Sequence, residues 1–194
     1  YKIIVTTSGG GGTEEECEQG VASSTTIANA FNILSSNQNR SAEDFTVGAG
    51  GFTLTEISID TNQQGIPNAG TFSIRADNNG NPGVIVQTIT VGAPTTTQVI
   101  GNAFGDPIHH STYLLATPIE LEEGTYWFDP KMTTSTSETV WWAAVDYSSS
   151  HGANLKQSTT NGSTWTTNSE YSGVFKVIGT CGDGGTEPEP TDPC

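Results

Sequence analysis

Hydrophobic and polar positions alternate along most of the chain. Thr71-Phe-Ser-Ile-Arg sets Phe72 and Ile74 on one face and polar side chains on the other, the period of two that marks a half-buried β-strand. The same reading predicts strands over Val84–Val91, Thr125–Phe128, Thr139–Tyr147 and Val174–Ile178. Turn clusters such as Asp77-Asn-Asn-Gly-Asn-Pro-Gly and Asn161-Gly162 separate them. In Phe52-Thr-Leu-Thr-Glu-Ile-Ser-Ile-Asp the apolar phase slips between Leu54 and Ile57, which a bulge or a change of sheet would produce. Helix signals are nearly absent: only Cys17–Ala22 has helical composition, and it soon runs into Ser and Thr. About ten short strands without helix-length crossovers predict an all-β fold, an antiparallel β-sandwich of jelly-roll-like type.

The two ends of the chain echo one another. Tyr1-Lys-Ile-Ile matches Phe175-Lys-Val-Ile in order: an aromatic, a lysine and two branched aliphatics. Each then enters a glycine-rich acidic tract with a threonine, Thr13 or Thr186, ahead of its glutamates, and each tract closes on a cysteine, Cys17 or Cys194. Recurrence at a fixed period is the sequence mark of an array of like units. On this reading residues 1–16 are a strand and Gly/Glu-rich linker echoing the end of a preceding repeat. Residues 17–181 form the sandwich domain, and residues 182–194 are an acidic Pro/Gly linker leading to a next repeat. Tyr1, Ile3 and Cys194 are the inter-repeat candidates. Two exposed strands followed by polar linkers would also look alike with no repeat at all.

Composition narrows the partners. A net charge of −15 with only six Lys and Arg argues against nucleic acid, whose phosphates demand basic side chains, and equally against anionic membrane surfaces. No apolar run approaches the roughly 20 residues that span a bilayer, so no membrane insertion is expected. Such acidity among abundant Thr, Ser, Asn and Gly suits a surface bathed in salt, where divalent cations sit between carboxylates and carbonyls. Cys17 and Cys181 bracket the domain, and a bridge between them would close a long loop. Cys194 would then belong with a cysteine beyond this segment. Thr7 occupies the position matching Cys181, so the preceding module would lack the bridge. The alternative is three reduced thiols.

Three groups of residues carry candidate chemistry. Asp77, Asn79 and Asn81 place oxygen side chains at alternate positions of a glycine-containing loop, the beginning of a calcium shell, although the same residues also make a plain turn. Calcium is the only cofactor candidate. Tyr126-Trp127-Phe128 and Trp141-Trp142 each set neighbouring aromatics on opposite sheet faces, so at least one of each leaves the core unless a loop covers it. Trp127, Trp141 and Trp165 are the carbohydrate-stacking candidates. Trp165, in Ser-Thr-Trp-Thr-Thr, is the one expected to be most exposed. His109-His110 reads as a solvated loop, and Glu43, Asp44, Glu56 and Asp146 are acids whose pairing only the fold defines. No serine elbow, phosphate loop or zinc signature is present, and no enzymatic activity is expected.

Cys17-Glu-Gln-Gly, Ile27-Ala-Asn-Ala-Phe-Asn-Ile, Ser41-Ala-Glu-Asp-Phe-Thr-Val, Asp77-Asn-Asn-Gly-Asn-Pro-Gly, Val99-Ile-Gly-Asn-Ala-Phe-Gly, Glu123-Gly-Thr-Tyr-Trp, Asn161-Gly-Ser-Thr-Trp and Gly173-Val-Phe-Lys-Val-Ile-Gly-Thr-Cys follow one another in order. As a series they resemble a β-sandwich module repeated in large secreted, adhesin-like surface proteins of gliding, polysaccharide-degrading bacteria that use type IX secretion. The resemblance implies an extracellular, non-catalytic repeat of an adhesin or surface fibre, partnered by neighbouring repeats of the same or an identical chain. Two further readings stand beside it. One is a carbohydrate-binding module that takes up polysaccharide. The other is a fibre subunit polymerised by donation of a strand from residues 1–8 to a neighbour.

Overall fold

A computed structural model describes residues 2–4, 15–134, 139–148 and 152–182. Tyr1, most of the first linker and all of the second beyond Gly182, Cys194 included, lie outside the described residues. The fold is an antiparallel β-sandwich, and no helix occurs among the described residues.

The larger sheet begins with β1 (Lys2–Ile4), β2 (Glu15–Val21), β15 (Phe175–Cys181) and β5 (Phe52–Asn62) side by side. Beyond β5 lie β9 (Asp106–Leu121) and β8 (Thr96–Ala103). The edge of β5 that β15 leaves is taken over by β11 (Trp141–Asp146), which also pairs with β3 (Asn29–Asn32) and β14 (Tyr171–Gly173). The second sheet runs β13 (Thr166–Thr167), β12 (Lys156–Ser158), β4 (Arg40–Val47), β10 (Gly124–Thr134), β6 (Pro67–Asp77) and β7 (Pro82–Val91).

These fifteen strands exceed the expected number because β3, β12, β13 and β14 are two to four residues long. Such short polar segments carry no alternation to read; tertiary pairing alone makes them strands. Cys17–Ala22, helical by composition, is strand for most of its length, because β2 pairs with β15 along its whole span. Strand β2 begins at Glu15, two residues ahead of Cys17.

Alternate residues of both sheets meet in one core. Phe128 stacks on Phe175 at 4.9 Å between ring centres, and Phe72 and Trp142 pack edge-on to Phe128 at 5.3 and 5.8 Å. Trp142 is fully buried and its indole N–H donates to the Val174 carbonyl at 2.9 Å, so the ring's one polar atom is satisfied inside the core. The phase slip in β5 is a bulge: the register with β9 shifts between Leu54 and Glu56, and that with β15 between Ile178 and Gly179. Gly179 faces this bulge so closely that a Cβ there would run into the Thr53 carbonyl oxygen.

β1 lies on the far edge of β2 from β15, with Lys2 opposite Glu18, Ile3 opposite Cys17 and Ile4 opposite Glu16. Strand β2 is thus flanked on both sides by strands in which a lysine precedes branched aliphatics, Lys2-Ile-Ile and Lys176-Val-Ile. Lys176 of β15 bonds Glu18 at 2.9 Å.

Candidate functional site

A disulfide joins Cys17 to Cys181, with the two Cα atoms 5.7 Å apart. Its position follows from the pairing of β2 and β15. The two strands are antiparallel, Glu15 stands opposite Cys181, and Cys17 stands opposite Gly179. Strand β2 therefore starts, and β15 finishes, at the same end of one strand pair, and the bridge crosses the mouth of that pair. A bridge of this kind is characteristic of non-reducing environments. No helix among the described residues is long and apolar enough to cross a membrane.

The Asp77 loop and two tryptophans come together on the outer face of the second sheet. Trp127 points away from the core yet is 0% exposed, because the segment after Gly152 folds back over that face. Its indole N–H donates to Asp77 Oδ1 at 2.8 Å, and Lys156 Nζ lies 5.9 Å from its ring. Both Asp77 oxygens also accept the Gly80 N–H at 3.1 Å, and Asn79 takes a positive φ of 53°. The Asp77 carboxylate is thereby occupied in closing its own turn and holding Trp127. Asn81 donates its side-chain amide to the Asn79 carbonyl at 3.4 Å. Among the described residues no three His, Cys, Asp or Glu side chains are grouped to hold a metal ion.

Trp165, expected to be the most open of the three candidates, is half-buried. The Arg75 guanidinium sits 5.4 Å from its ring centre, and its indole nitrogen is buried. Arg75 and Arg40 both bond Asp129 Oδ2 at 2.8 Å. Burial pushes the Asp129 carboxyl upward while the two guanidiniums hold it down. Trp165 thus covers a buried ionic cluster, with one edge lining a shallow cleft beside Asn78, Asn81 and Ser163. Trp127 offers no face to a ligand in this arrangement.

Trp141 is the candidate that reaches solvent, at 37% exposure, on the outer face of the larger sheet. Across the strands it faces Asn62, and both line a cleft of about 340 Å³ with Asn29, Ala30, Phe104 and Asp106. Phe104 was not singled out in the sequence. It forms with Gly105 the two-residue turn of the β8–β9 hairpin, at φ values of 54° and 90°, and is 67% exposed. A type I′ turn demands two positive φ angles and normally takes Asn-Gly, so a bulky aromatic at the first position costs about 1 kcal/mol or more. The legible signal was Phe-Gly standing where a hairpin wants Asn-Gly.

The remaining polar candidates separate. His109-His110 lies on β9, not in a loop: His109 turns inward, where burial lowers its basicity, and His110 turns outward. His110 Nδ1 is 2.6 Å from Asp60 Oδ1 and 2.7 Å from Ser23 Oγ. The hydrogen bond to Asp60 raises the pKa of His110. Hydroxyl and carboxylate meet the same ring nitrogen, whereas a proton relay needs them on opposite nitrogens. Glu43 and Asp44 are sequence neighbours on opposite faces of β4. Glu43 enters the core and accepts the Gly173 N–H at 2.8 Å, and burial pushes its carboxyl well above the usual range. Asp44 accepts the Ala153 N–H at 2.7 Å, and burial raises it too. The two carboxyls do not face one another across a cleft.

Compared with known protein families and with curated proteins, the chain matches none.

Proposed function

We propose that this domain is a non-catalytic, load-bearing repeat of an extracellular adhesin or surface fibre, threaded into a tandem array. The position of the Cys17–Cys181 bridge carries the reading. When a sandwich begins and ends at the same end of an antiparallel pair, tension on its two ends loads the ladder one rung at a time. The rungs lie perpendicular to the strands, in the direction of the pull. β2 and β15 would unzip under small loads. The bridge lies within the first rungs and transfers the load from Cys17 to Cys181 through a covalent bond, so the residues between them carry none of it.

The echo of Tyr1–Ile4 in Phe175–Ile178, the acidic Pro/Gly tract after Gly182 and the ordered series of adhesin-like motifs support an array over a lone domain. Oxidised cysteines and a strongly acidic surface support the extracellular location. The test is the mass of the native polypeptide bearing this segment, measured denatured and reduced, together with its peptide map. A mass several times that of 194 residues, with peptides recurring in this pattern, is expected. A mass equal to one module would contradict the array.

A further inference from the structure

We infer that the cleft between Trp141 and the Phe104 turn is a binding site for a neutral polysaccharide, engaging one or two pyranose units of the chain. The site does not depend on the array reading and stands or falls separately. Two large aromatics border it, and neither belongs to the core: Trp141 is 37% and Phe104 67% exposed. Phe104 is also held at a φ of 54°, a conformation that penalises its side chain. Burial gives little reason for a phenylalanine this exposed to take a penalised conformation, and backbone strain of this kind gathers at ligand-contacting positions.

The rest of the lining suits sugar hydroxyls. Asn62 donates its side-chain amide to the carbonyls of Ala103 at 3.0 Å, Asp106 at 2.9 Å and Pro107 at 3.1 Å. It thereby clamps the hairpin that presents Phe104, and acts as a positioning residue. Asp106 is oriented by a hydrogen bond from Gln64 to one of its oxygens. Asn29 Oδ1 accepts the Ala30 N–H at 2.8 Å, while its Nδ2 has no partner among the described residues. Apolar sugar faces stack on aromatic rings, and amides and carboxylates bind the hydroxyls between them. The lining holds a carboxylate and no basic group, on a chain of net charge −15, which selects neutral over sulfated or uronic glycans. The cleft's volume of about 340 Å³ is at the small end for ligand sites, roughly 300–1,000 Å³, and fits sugar rings rather than a protein surface.

The test titrates the folded, oxidised protein with cellohexaose, mannohexaose, xylohexaose and laminarihexaose, read by tryptophan fluorescence and calorimetry. Polygalacturonate and a sulfated carrageenan hexasaccharide serve as anionic probes. Saturable binding of at least one neutral hexasaccharide is expected, weakened about tenfold or more in Trp141→Ala and in Phe104→Ala, as for aromatic anchors. Trp165→Ala should bind as the parent does. Phe104→Asn supplies the residue the turn prefers, so it should raise the melting temperature while weakening binding. No saturable binding by any of the four neutral sugars, binding confined to the anionic probes, or binding indifferent to both cleft substitutions would overturn the inference. A Phe104→Asn protein that melts lower than the parent would remove the argument from strain.

Discussion

Replacing Cys17 and Cys181 by serine removes a cross-link between residues 164 apart in sequence. In the chain-entropy description a closed loop of that length restricts the unfolded ensemble by about 5 kcal/mol at 25 °C. Domains of this size are stable by roughly 5–15 kcal/mol, so the loss is a third of the total or more. It corresponds to a fall in melting temperature of roughly 10–20 °C. The assay is urea unfolding followed by tryptophan fluorescence, to which the fully buried Trp127 and Trp142 give a native signal. Cys194→Ser in both proteins keeps thiol exchange out of the comparison. The dependence on denaturant should also steepen in the serine variant, because an unfolded chain without the cross-link exposes more surface. A stability change under about 1 kcal/mol with unaltered slope would refute the reasoning: the bridge would then be open in the folded protein, or the unfolded chain would be closed without it.

Glu43→Gln keeps an acceptor for the Gly173 N–H and removes a carboxylate from the core, so it should stabilise the domain at pH 7 by roughly 1–3 kcal/mol. The sign follows from the pKa shifts. Glu43, Asp44 and Glu56 are all raised, chiefly by burial, so their contribution is fully present below their unfolded values near 4.5 and 3.8 and is lost as pH rises through the folded ones. His110, raised by its bond to Asp60, contributes fully below its unfolded value of about 6.5 and loses that contribution as pH climbs through the folded one. His109 and Lys131, both lowered chiefly by burial, pull the other way, so the sign is read from a variant: His110→Gln should lose more stability at pH 5 than at pH 8, and a loss larger at pH 8 would contradict the assignment. Gly179→Ala should cost about 3 kcal/mol or more, since its Cβ meets the rigid Thr53 carbonyl, and a folded variant of parental stability would show that the β5 bulge can move.

Alternation along the chain revealed the long strands, because period two is imposed by the pleat itself and needs no knowledge of partners. It also foresaw the division within Trp141-Trp142: Trp142 enters the core and Trp141 reaches solvent. It could not foresee that Trp127, on the outer face, would be roofed over by a segment beginning some 25 residues later, at Gly152. Trp165 among serines and threonines reads as exposed, yet Arg75, far away in sequence, lies against its ring. Asp77 belongs to a turn in either reading, but its bond to the Trp127 indole is a tertiary contact that no local pattern encodes. Phe104 was overlooked because exposed loop aromatics are ordinary in composition; only its positive φ makes it unusual. Cysteine positions, by contrast, were informative: the pair read as bracketing the domain, Cys17 and Cys181, is joined.

The central claim, that the bridge shields each module from load, is tested most directly by stretching a single molecule built of three such modules in series. With the disulfides intact, the account predicts no unfolding step longer than the linkers and the few residues outside Cys17 and Cys181. After mild reduction each module should yield at low force and release the chain between Cys17 and Cys181, a sequence separation of 164, about 550 Å at some 3.4 Å per residue. Steps of that length from the oxidised array would contradict the account, as would modules that resist the same force equally well once their bridges are gone.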